Sequence, residues 1–371
     1  VFNLSQIFIH PVKSMRGLQF SHAQVGASGL AFDRIFMLTD RDGKFITARQ
    51  YPSLVCFTPS LITDGIVLSA PDGQSMTVRF DDFSNTMSPT EVWGSEFSAH
   101  IAPEEVNDWL SRHLKTPVQL RWVGPQLTRR IKRYPEIPLS FADGYPFLLI
   151  NVASFEALQN RCPVPIKLPQ FRPNFVVDGA PAFAEDGWKT VKIGDVIFDV
   201  AKPCSRCILT TVNIDSGKAH PAIEPLNTLK QFRSAENGDV DFGMNLIART
   251  QGVVRVGDTI EVLETQTARS YFNNGTVAVE NVQEEPPKSV IIDFDGTVFS
   301  GNNHQVLLEQ LEQQGIKVNY SCRAGICGCC RVGLDSGEVL PLRKGAIKNN
   351  GSILACSCIP KTNIRLKPLA K

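Results

Sequence analysis

The 371-residue sequence contains no glycine pattern of a nucleotide site. No G-x-G-x-x-G follows a strand to open a helix, and no Walker motif occurs, so a dinucleotide-binding fold is not expected. Charge of one sign is also lacking. Lys and Arg number 38 against 37 Asp and Glu, a net +1, which excludes a general nucleic-acid-binding role. The apolar stretch at 145–155 is too short to span a bilayer, which takes about 20 apolar residues, so no membrane span is expected. The N-terminus lacks the basic and long apolar regions of a signal peptide. Its first residue is Val rather than Met, so an initiator or a short leader is expected to have been removed. The six histidines form no ligand-spaced cluster, and His10, beside Pro11-Val12-Lys13, reads as a strand-end residue rather than a ligand.

Cysteine is not scarce. Six of the ten lie between Cys322 and Cys358, and Cys204 and Cys207 form a C-x2-C pair. Clusters at ligand spacing point to metal rather than to a disulfide framework, and with no secretory signal this places the protein in a reducing cytoplasm. At roughly 150 residues per domain the chain has room for two or three domains. The clearest break lies at 265–287, where Asn274-Gly275 and Glu284-Glu285-Pro286-Pro287 interrupt apolar periodicity, the composition of a linker.

Before that linker the pattern is mostly short strands. Residues 31–38 and 44–48 flank Asp42-Gly43 as a hairpin, and strands are expected near 65–69, 77–80, 118–123, 191–193, 196–200 and 253–256. Helices are expected at 103–110, where Pro103 and two glutamates make a favourable start, and at 154–160. Many short strands with few helices suggest β-barrels rather than a doubly wound sheet. After the linker, 290–294 and 297–299 form a hairpin around Asp295-Gly296. Asn302 or Asn303 can cap a helix that runs to about Gln314; a cysteine loop and a strand near 331–334 follow, a β-grasp order.

Cys322, Cys327 and Cys330 have the C-x4-C-x2-C spacing of a plant-type 2Fe-2S cluster, which needs a distant fourth thiolate. Ala324, Gly325 and Gly328 are small enough to let backbone N–H groups approach the sulfurs. A structural zinc site is the competing reading, but zinc sites pair two close-spaced couples, and here a group of three precedes a Cys-x-Cys pair. The segment resembles plant-type ferredoxins over nearly its whole span. That resemblance selects Cys356 over Cys358 as the fourth ligand, while Cys329 and Cys358 depart from the family's small residues. It implies one-electron transfer at low potential.

Cys204 and Cys207 alone are open to several readings: a redox pair, half a zinc site, or buried thiols. Their surroundings narrow these. Lys202-Pro203-Cys204-Ser205-Arg206-Cys207, with Pro11-Val12-Lys13-Ser14, Phe32-Asp33-Arg34, Phe171-Arg172-Pro173-Asn174 and Asp241-Phe242-Gly243, resembles the MOSC-domain molybdenum enzymes. The resemblance runs from about residue 4 to 263 and extends to the mitochondrial amidoxime-reducing component.

It implies a MOSC β-barrel core with an N-terminal β-barrel extension, mainly β with some α, followed by the β-grasp domain. The expected boundaries are 1–120, 121–264, the linker 265–287, and 288–371. It implies a pyranopterin molybdenum cofactor with Cys207 as the thiolate on molybdenum, Cys204 as a non-ligating neighbour, and Lys13, Ser14, Arg34, Arg172, Asn174, Ser205 and Arg206 around the cofactor. Asp143 and Ser154 fall near family site regions. Cationic and amide donors suit a phosphate and a thiolate suits a soft metal. Singly, Lys13 or Arg34 reads as a solvated charge and Arg172-Pro173-Asn174 as a turn; together with Cys207 they read as a site.

The implied activity is reduction of N-hydroxylated compounds, such as hydroxylamines and N-hydroxylated bases, in detoxification, with electrons entering through the chain's own 2Fe-2S cluster. Two other readings compete. MOSC domains also serve as sulfur carriers, with a persulfide on Cys204 or Cys207, and ferredoxin domains are fused to reductase components of oxygenases. Arg269-Ser270-Tyr271-Phe272 only loosely resembles a flavin motif, so a separate NAD(P)H-dependent flavoprotein is expected as electron donor. Residues 288–371 hold eleven Lys and Arg against six Asp and Glu, a balance of +5, while the remainder holds 27 against 31, or −4. An acidic docking surface on the donor follows.

Overall fold

A computed structural model describes residues 2–272, 288–303, 305–320, 325, 328–342 and 345–369. Two compact units emerge. The first comprises 1–204, 209–228 and 241–269; the second comprises 205–208, 229–240 and 270–371.

The first unit contains a closed barrel of seven strands: β1 (Phe2–Ile9), β2 (Phe147–Asn151), β3 (Phe175–Asp178), β4 (Trp188–Ile193), β5 (Val196–Ser205), β6 (Asp241–Ala248) and β7 (Thr259–Thr265). Their order is β3-β2-β6-β5-β4-β7-β1, and β1 pairs back onto β3 through Ile7 and Phe175, which leaves no free edge. The strands are rich in Phe, Val and Ile, which fit a pleated, buried surface. Phe147, Phe175 and Phe198 meet inside at centroid distances of 5.3–5.6 Å. Each fully buried ring stabilises the fold by about 2–3 kcal/mol.

The segment between β1 and β2 builds the N-terminal part. Strands Ser88–Val92, Ser95–Ile101, Gln119–Trp122, Phe36–Thr39 and Phe45–Ile46 form one sheet, and Thr58–Ile62, Gly65–Ser69 and Ser75–Arg79 another. Helix Glu104–Leu114 buries Val106, Trp109, Leu110 and Leu114 in their shared core. The expected hairpin at Asp42-Gly43 is present, but its first strand begins only at Phe36, because Phe32 and Arg34 take left-handed backbone conformations.

Three barrel connections meet at one end. β2 and β3 are parallel, with Leu149 opposite Phe175, and β1 is antiparallel to β3. The exit of β1 and the entries to β2 and β3 therefore lie together, carrying Lys13 and Ser14, Asp143, and Arg172 respectively.

In the second unit, strands Thr297–Asn302, Ser289–Phe294, Ile364–Lys367, Arg331–Ser336 and Ser352–Leu354 form a mixed sheet, in which Ser289–Phe294 runs parallel to Ile364–Lys367. With helix Leu307–Gln313 against it, this is the expected β-grasp. The Asp295-Gly296 turn has φ 50° and 85°, as a two-residue hairpin requires. The helix corrects the expected capping. Asn302 accepts from the Gln305 backbone N–H at 2.8 Å, yet the helix starts only at Leu307. The buried Gln310 side chain bonds the Asn302 N–H and the Asn302 and Gln305 carbonyls, holding that loop out of helical form.

Beyond β7, Gln266 bonds back to Trp188 and Gly187, and Arg269 pairs with the buried Asp241 at 2.8 Å. Residues 273–287 of the expected linker lie outside the described residues.

Candidate cofactor-binding site and cluster ligands

Lys13 follows β1 and is only 5% exposed. Its ammonium donates to the Phe141 carbonyl at 2.7 Å and pairs with Asp143. Burial pushes its pKa down to about 8; Asp143 opposes the fall and the charges of Arg129 and Arg49 add to it. Burial alone would raise the Asp143 carboxyl, but Lys13 and Arg49 hold it well below the usual carboxylate range. Arg49 reaches Asp143 at 2.8 Å and lies over the Trp93 ring, whose indole N–H also donates to Asp143 at 3.1 Å. Arg129 donates to the carbonyls of Ser140, Ala142 and Asp143.

The second cationic group centres on Arg34 and Arg172. Arg34 pairs with Asp33 at 2.5 Å, donates to Asn174 Oδ1 at 3.1 Å and to the Arg172 carbonyl at 3.1 Å. Arg172 donates from Nη1 to the Met15 carbonyl at 2.5 Å, while its buried Nη2 has no hydrogen-bond partner among the described residues. Burial, then the neighbouring Arg34 charge, pushes its pKa down to about 9. Ser14, Arg34 and Arg172 all have positive φ, at 71°, 49° and 56°. Left-handed backbone at non-glycine residues costs about 1–3 kcal/mol each and clusters at binding sites.

Five of the expected cofactor residues, Lys13, Ser14, Arg34, Arg172 and Asn174, thus gather at one barrel end. Asn174 is largely engaged within the protein. Its Oδ1 accepts from Leu148 N–H and Arg34, and its Nδ2 donates to the Phe8 carbonyl at 3.1 Å. Ser154 is not part of this group: its hydroxyl accepts from the Phe183 N–H at 2.7 Å. Arg49, Arg129 and Trp93 belong to this group and carry no local sequence signal, whereas Asp33 lies within the Phe32-Asp33-Arg34 segment and pairs with its neighbour Arg34. The partners of Arg49 and Trp93 lie in other segments, Arg49 and Asp143 being 94 residues apart.

Cys204 is half-buried near the end of β5. Ser205, Arg206 and Cys207 fall in the second unit. There Ser205 donates to Asp239 at 2.8 Å and the Arg206 N–H to the Val240 carbonyl at 2.7 Å, which leads the chain into a half-buried Cys207. Arg269 and Tyr271 of the loose flavin motif meet Asp241 and Arg233 instead.

Of the expected cluster ligands, Cys322 and Cys327 lie outside the described residues. Cys330 and Cys356 are buried with sulfurs 3.2 Å apart, too far for a disulfide of about 2.05 Å and near enough to share one metal site. The Gly325 N–H points at Cys356 Sγ from 3.3 Å, the small-residue approach expected from the sequence. Cys329 is exposed, and burial pushes the Cys358 thiol up to about 11.

These buried and partly buried cations fit an anionic group. An orphaned guanidinium nitrogen and depressed lysine and arginine pKa values are what a cationic cradle shows when its carboxylates are too few, and a phosphate supplies the missing acceptors.

Comparison with known proteins agrees with this architecture. The MOSC N-terminal beta barrel domain matches residues 1–117, the MOSC domain 136–261, and the 2Fe-2S iron-sulfur cluster binding domain 290–361. Mitochondrial amidoxime-reducing component 1 of Mus musculus is 32% identical over 282 residues, covering 71% of this chain and 83% of its own length. Mitochondrial amidoxime reducing component 2 of Rattus norvegicus is 32% identical, covering 70% and 83%. Among solved structures, a ferredoxin reductase in carbazole 1,9a-dioxygenase is 25% identical over 23% of this chain and 27% of its own, with a TM-score of 0.22. Among the described residues no helix is long and apolar enough to cross a membrane. The chain therefore belongs to the family of MOSC-domain proteins that includes the mitochondrial amidoxime-reducing components, and it carries a 2Fe-2S cluster binding domain in its C-terminal part.

Proposed function

We propose that this protein is a molybdenum-cofactor-dependent reductase of N-hydroxylated compounds that receives electrons through its own 2Fe-2S cluster. The observation that carries the reading is the cationic cradle of buried Lys13 and partly buried Arg34 and Arg172, with a guanidinium nitrogen that lacks an acceptor among the described residues. Relatives named for amidoxime reduction support it.

A bound pyranopterin molybdenum cofactor would supply two-electron reduction of an N–OH group, which with two protons gives amine and water. The chain's own residues have separate tasks. Arg172, Arg34 and Lys13 would hold the phosphate, with Ser14, Asn174, Ser205 and Arg206 around the cofactor. Asp33 and Asn174 fix the Arg34 guanidinium, and Asp143 keeps Lys13 charged near neutral pH by opposing its desolvation. Cys207 would anchor the metal. Cys322, Cys327, Cys330 and Cys356 would hold the cluster, where Gly325 N–H helps set the potential. A separate NAD(P)H-dependent flavoprotein would reduce that cluster in a reducing cytoplasm, and the +5 balance of residues 288–371 favours an acidic face on it.

The test is metal content of protein made in cells that synthesise the cofactor. One molybdenum and two irons per chain are expected, as for a [2Fe–2S] centre. Zinc in place of iron, or absent molybdenum, overturns the proposal.

A further inference from the structure

The turn that presents Arg172 is strained twice over. Arg172 has φ 56° and ψ 47°, a left-handed conformation that disfavours a side chain with a Cβ. It also precedes Pro173, and a proline pushes the preceding residue towards extended backbone. Such a conformation persists only where its surroundings over-determine it. Three bonds do so here. The Arg172 N–H donates to the Pro169 carbonyl at 3.1 Å, Arg34 Nη2 donates to the Arg172 carbonyl at 3.1 Å, and the His10 ring meets the Pro173 carbonyl at 3.0 Å through Nε2.

His10 makes this contact across 163 residues of sequence and is 1% exposed. A carbonyl only accepts, so Nε2 must carry the proton. Burial, and then the charges of Arg34 and Arg172, hold the ring's pKa well below the usual value, which keeps it neutral. The neutral ring with Nε2–H leaves Nδ1 as a buried acceptor, and Nδ1 has no partner among the described residues. The ring is therefore retained for one bond. Its backbone is fixed too: the His10 N–H donates to Asp33 Oδ1 at 2.8 Å, and the His10 carbonyl accepts from the Arg34 N–H at 2.7 Å. Gly17 completes the arrangement. A Cβ there would lie 2.4 Å from His10 Cε1 and 2.5 Å from Nδ1, far inside contact distance, so only glycine leaves room for the ring.

We propose that His10, seated on Gly17, is a positioning residue that locks the strained Arg172-Pro173 turn through the Pro173 carbonyl and so aims Arg172 at the anionic cofactor. The inference rests on the reading of Arg172 as a cofactor residue. His10 touches no reacting group in this scheme. It acts through the backbone that carries Arg172.

The experiment compares molybdenum per chain and iron per chain in wild type and in His10→Gln, His10→Asn and His10→Phe, with thermal unfolding of each. A glutamine amide nitrogen reaches the position of Nε2, whereas an asparagine amide reaches only that of Nδ1. His10→Gln is expected to keep molybdenum near the wild-type level. His10→Asn and His10→Phe are expected to lose it about fivefold or more, the scale of one lost buried hydrogen bond, while retaining iron. Gly17→Ala, which displaces the ring, is expected to behave like His10→Phe. If His10→Phe fails to fold, the Gln and Asn pair decides. Equal molybdenum in these two variants, or lowered thermal stability with an unchanged molybdenum-to-iron ratio, overturns the proposal. A wild type without molybdenum fails the functional reading instead, so the two failures are distinguishable.

Discussion

Replacing Arg172 by methionine is expected to make the cofactor-free protein more stable while abolishing cofactor retention. The charged guanidinium is disfavoured where it stands: burial and Arg34 bring its pKa to about 9, and Nη2 has no acceptor among the described residues. A fall from 12.5 to about 9, at about 1.4 kcal/mol for each pH unit, corresponds to roughly 5 kcal/mol against the charged form. That is an upper bound, because the residue is only partly buried and solvent screens the rest. Methionine keeps an unbranched apolar stem but is two bonds shorter than arginine, and it leaves the Met15 carbonyl without its donor, a loss of about 1 kcal/mol. The net expectation is about 1–2 kcal/mol of added stability, or a few degrees in the unfolding transition of the barrel unit. Calorimetry on wild type and Arg172→Met, both from cells that cannot make the cofactor, reads this. Metal analysis of both proteins from cofactor-producing cells reads retention, expected below about a tenth of wild type, on the scale of a lost charge-assisted contact. A variant that is destabilised without cofactor, or that keeps its molybdenum, would refute the idea that Arg172 is maintained against stability for an anion.

Three further outcomes are expected. Cys207→Ser should lose molybdenum and turnover but keep the optical spectrum of the 2Fe-2S cluster; loss of both spectra together would point to a folding role. Lys13 has a folded pKa of about 8 against a higher unfolded value, so between those values the unfolded state binds more protons and the cofactor-free protein gains stability as pH rises. Lys13 loses its charge as pH rises through its folded value of about 8, so molybdenum retained after dialysis should fall from about pH 7 to about pH 10, below the free lysine value; equal retention counts against Lys13 as an anion ligand. Electron transfer from an acidic flavoprotein donor should slow as salt rises, and a salt-independent rate would remove the charge-steering argument.

Features with local causes were legible in the sequence. Asp295-Gly296 requires positive φ at both turn positions and marked its hairpin, and Pro103 with Glu104 and Glu105 marked the start of a helix. The gathering of Lys13, Ser14, Arg34 and Arg172 was anticipated only through resemblance, since each basic residue alone looks like a surface charge. Arg49, Arg129 and Trp93 stayed hidden because their burial is created by segments far away in sequence. Asn174 shows the reverse limit. Its residue type suggested a ligand contact, whereas the structure directs most of its hydrogen-bonding capacity to Phe8, Leu148 and Arg34. Cys330 and Cys356 were chosen by spacing and by family, and the 3.2 Å between their sulfurs adds a geometric reason to pair them.

The parallel pairing of Ser289–Phe294 with Ile364–Lys367 has a consequence for biosynthesis. Ile364–Lys367 also pairs with Arg331–Ser336, so it sits between two strands made earlier. A chain ending at Lys361 keeps all ten cysteines yet leaves a gap in the middle of the sheet. Its neighbours then expose unpaired backbone, a template for aggregation. This central strand thus acts as a keystone: products truncated before it retain the cysteines that precede it but lack the scaffold to organise them, and iron loading reports a closed sheet.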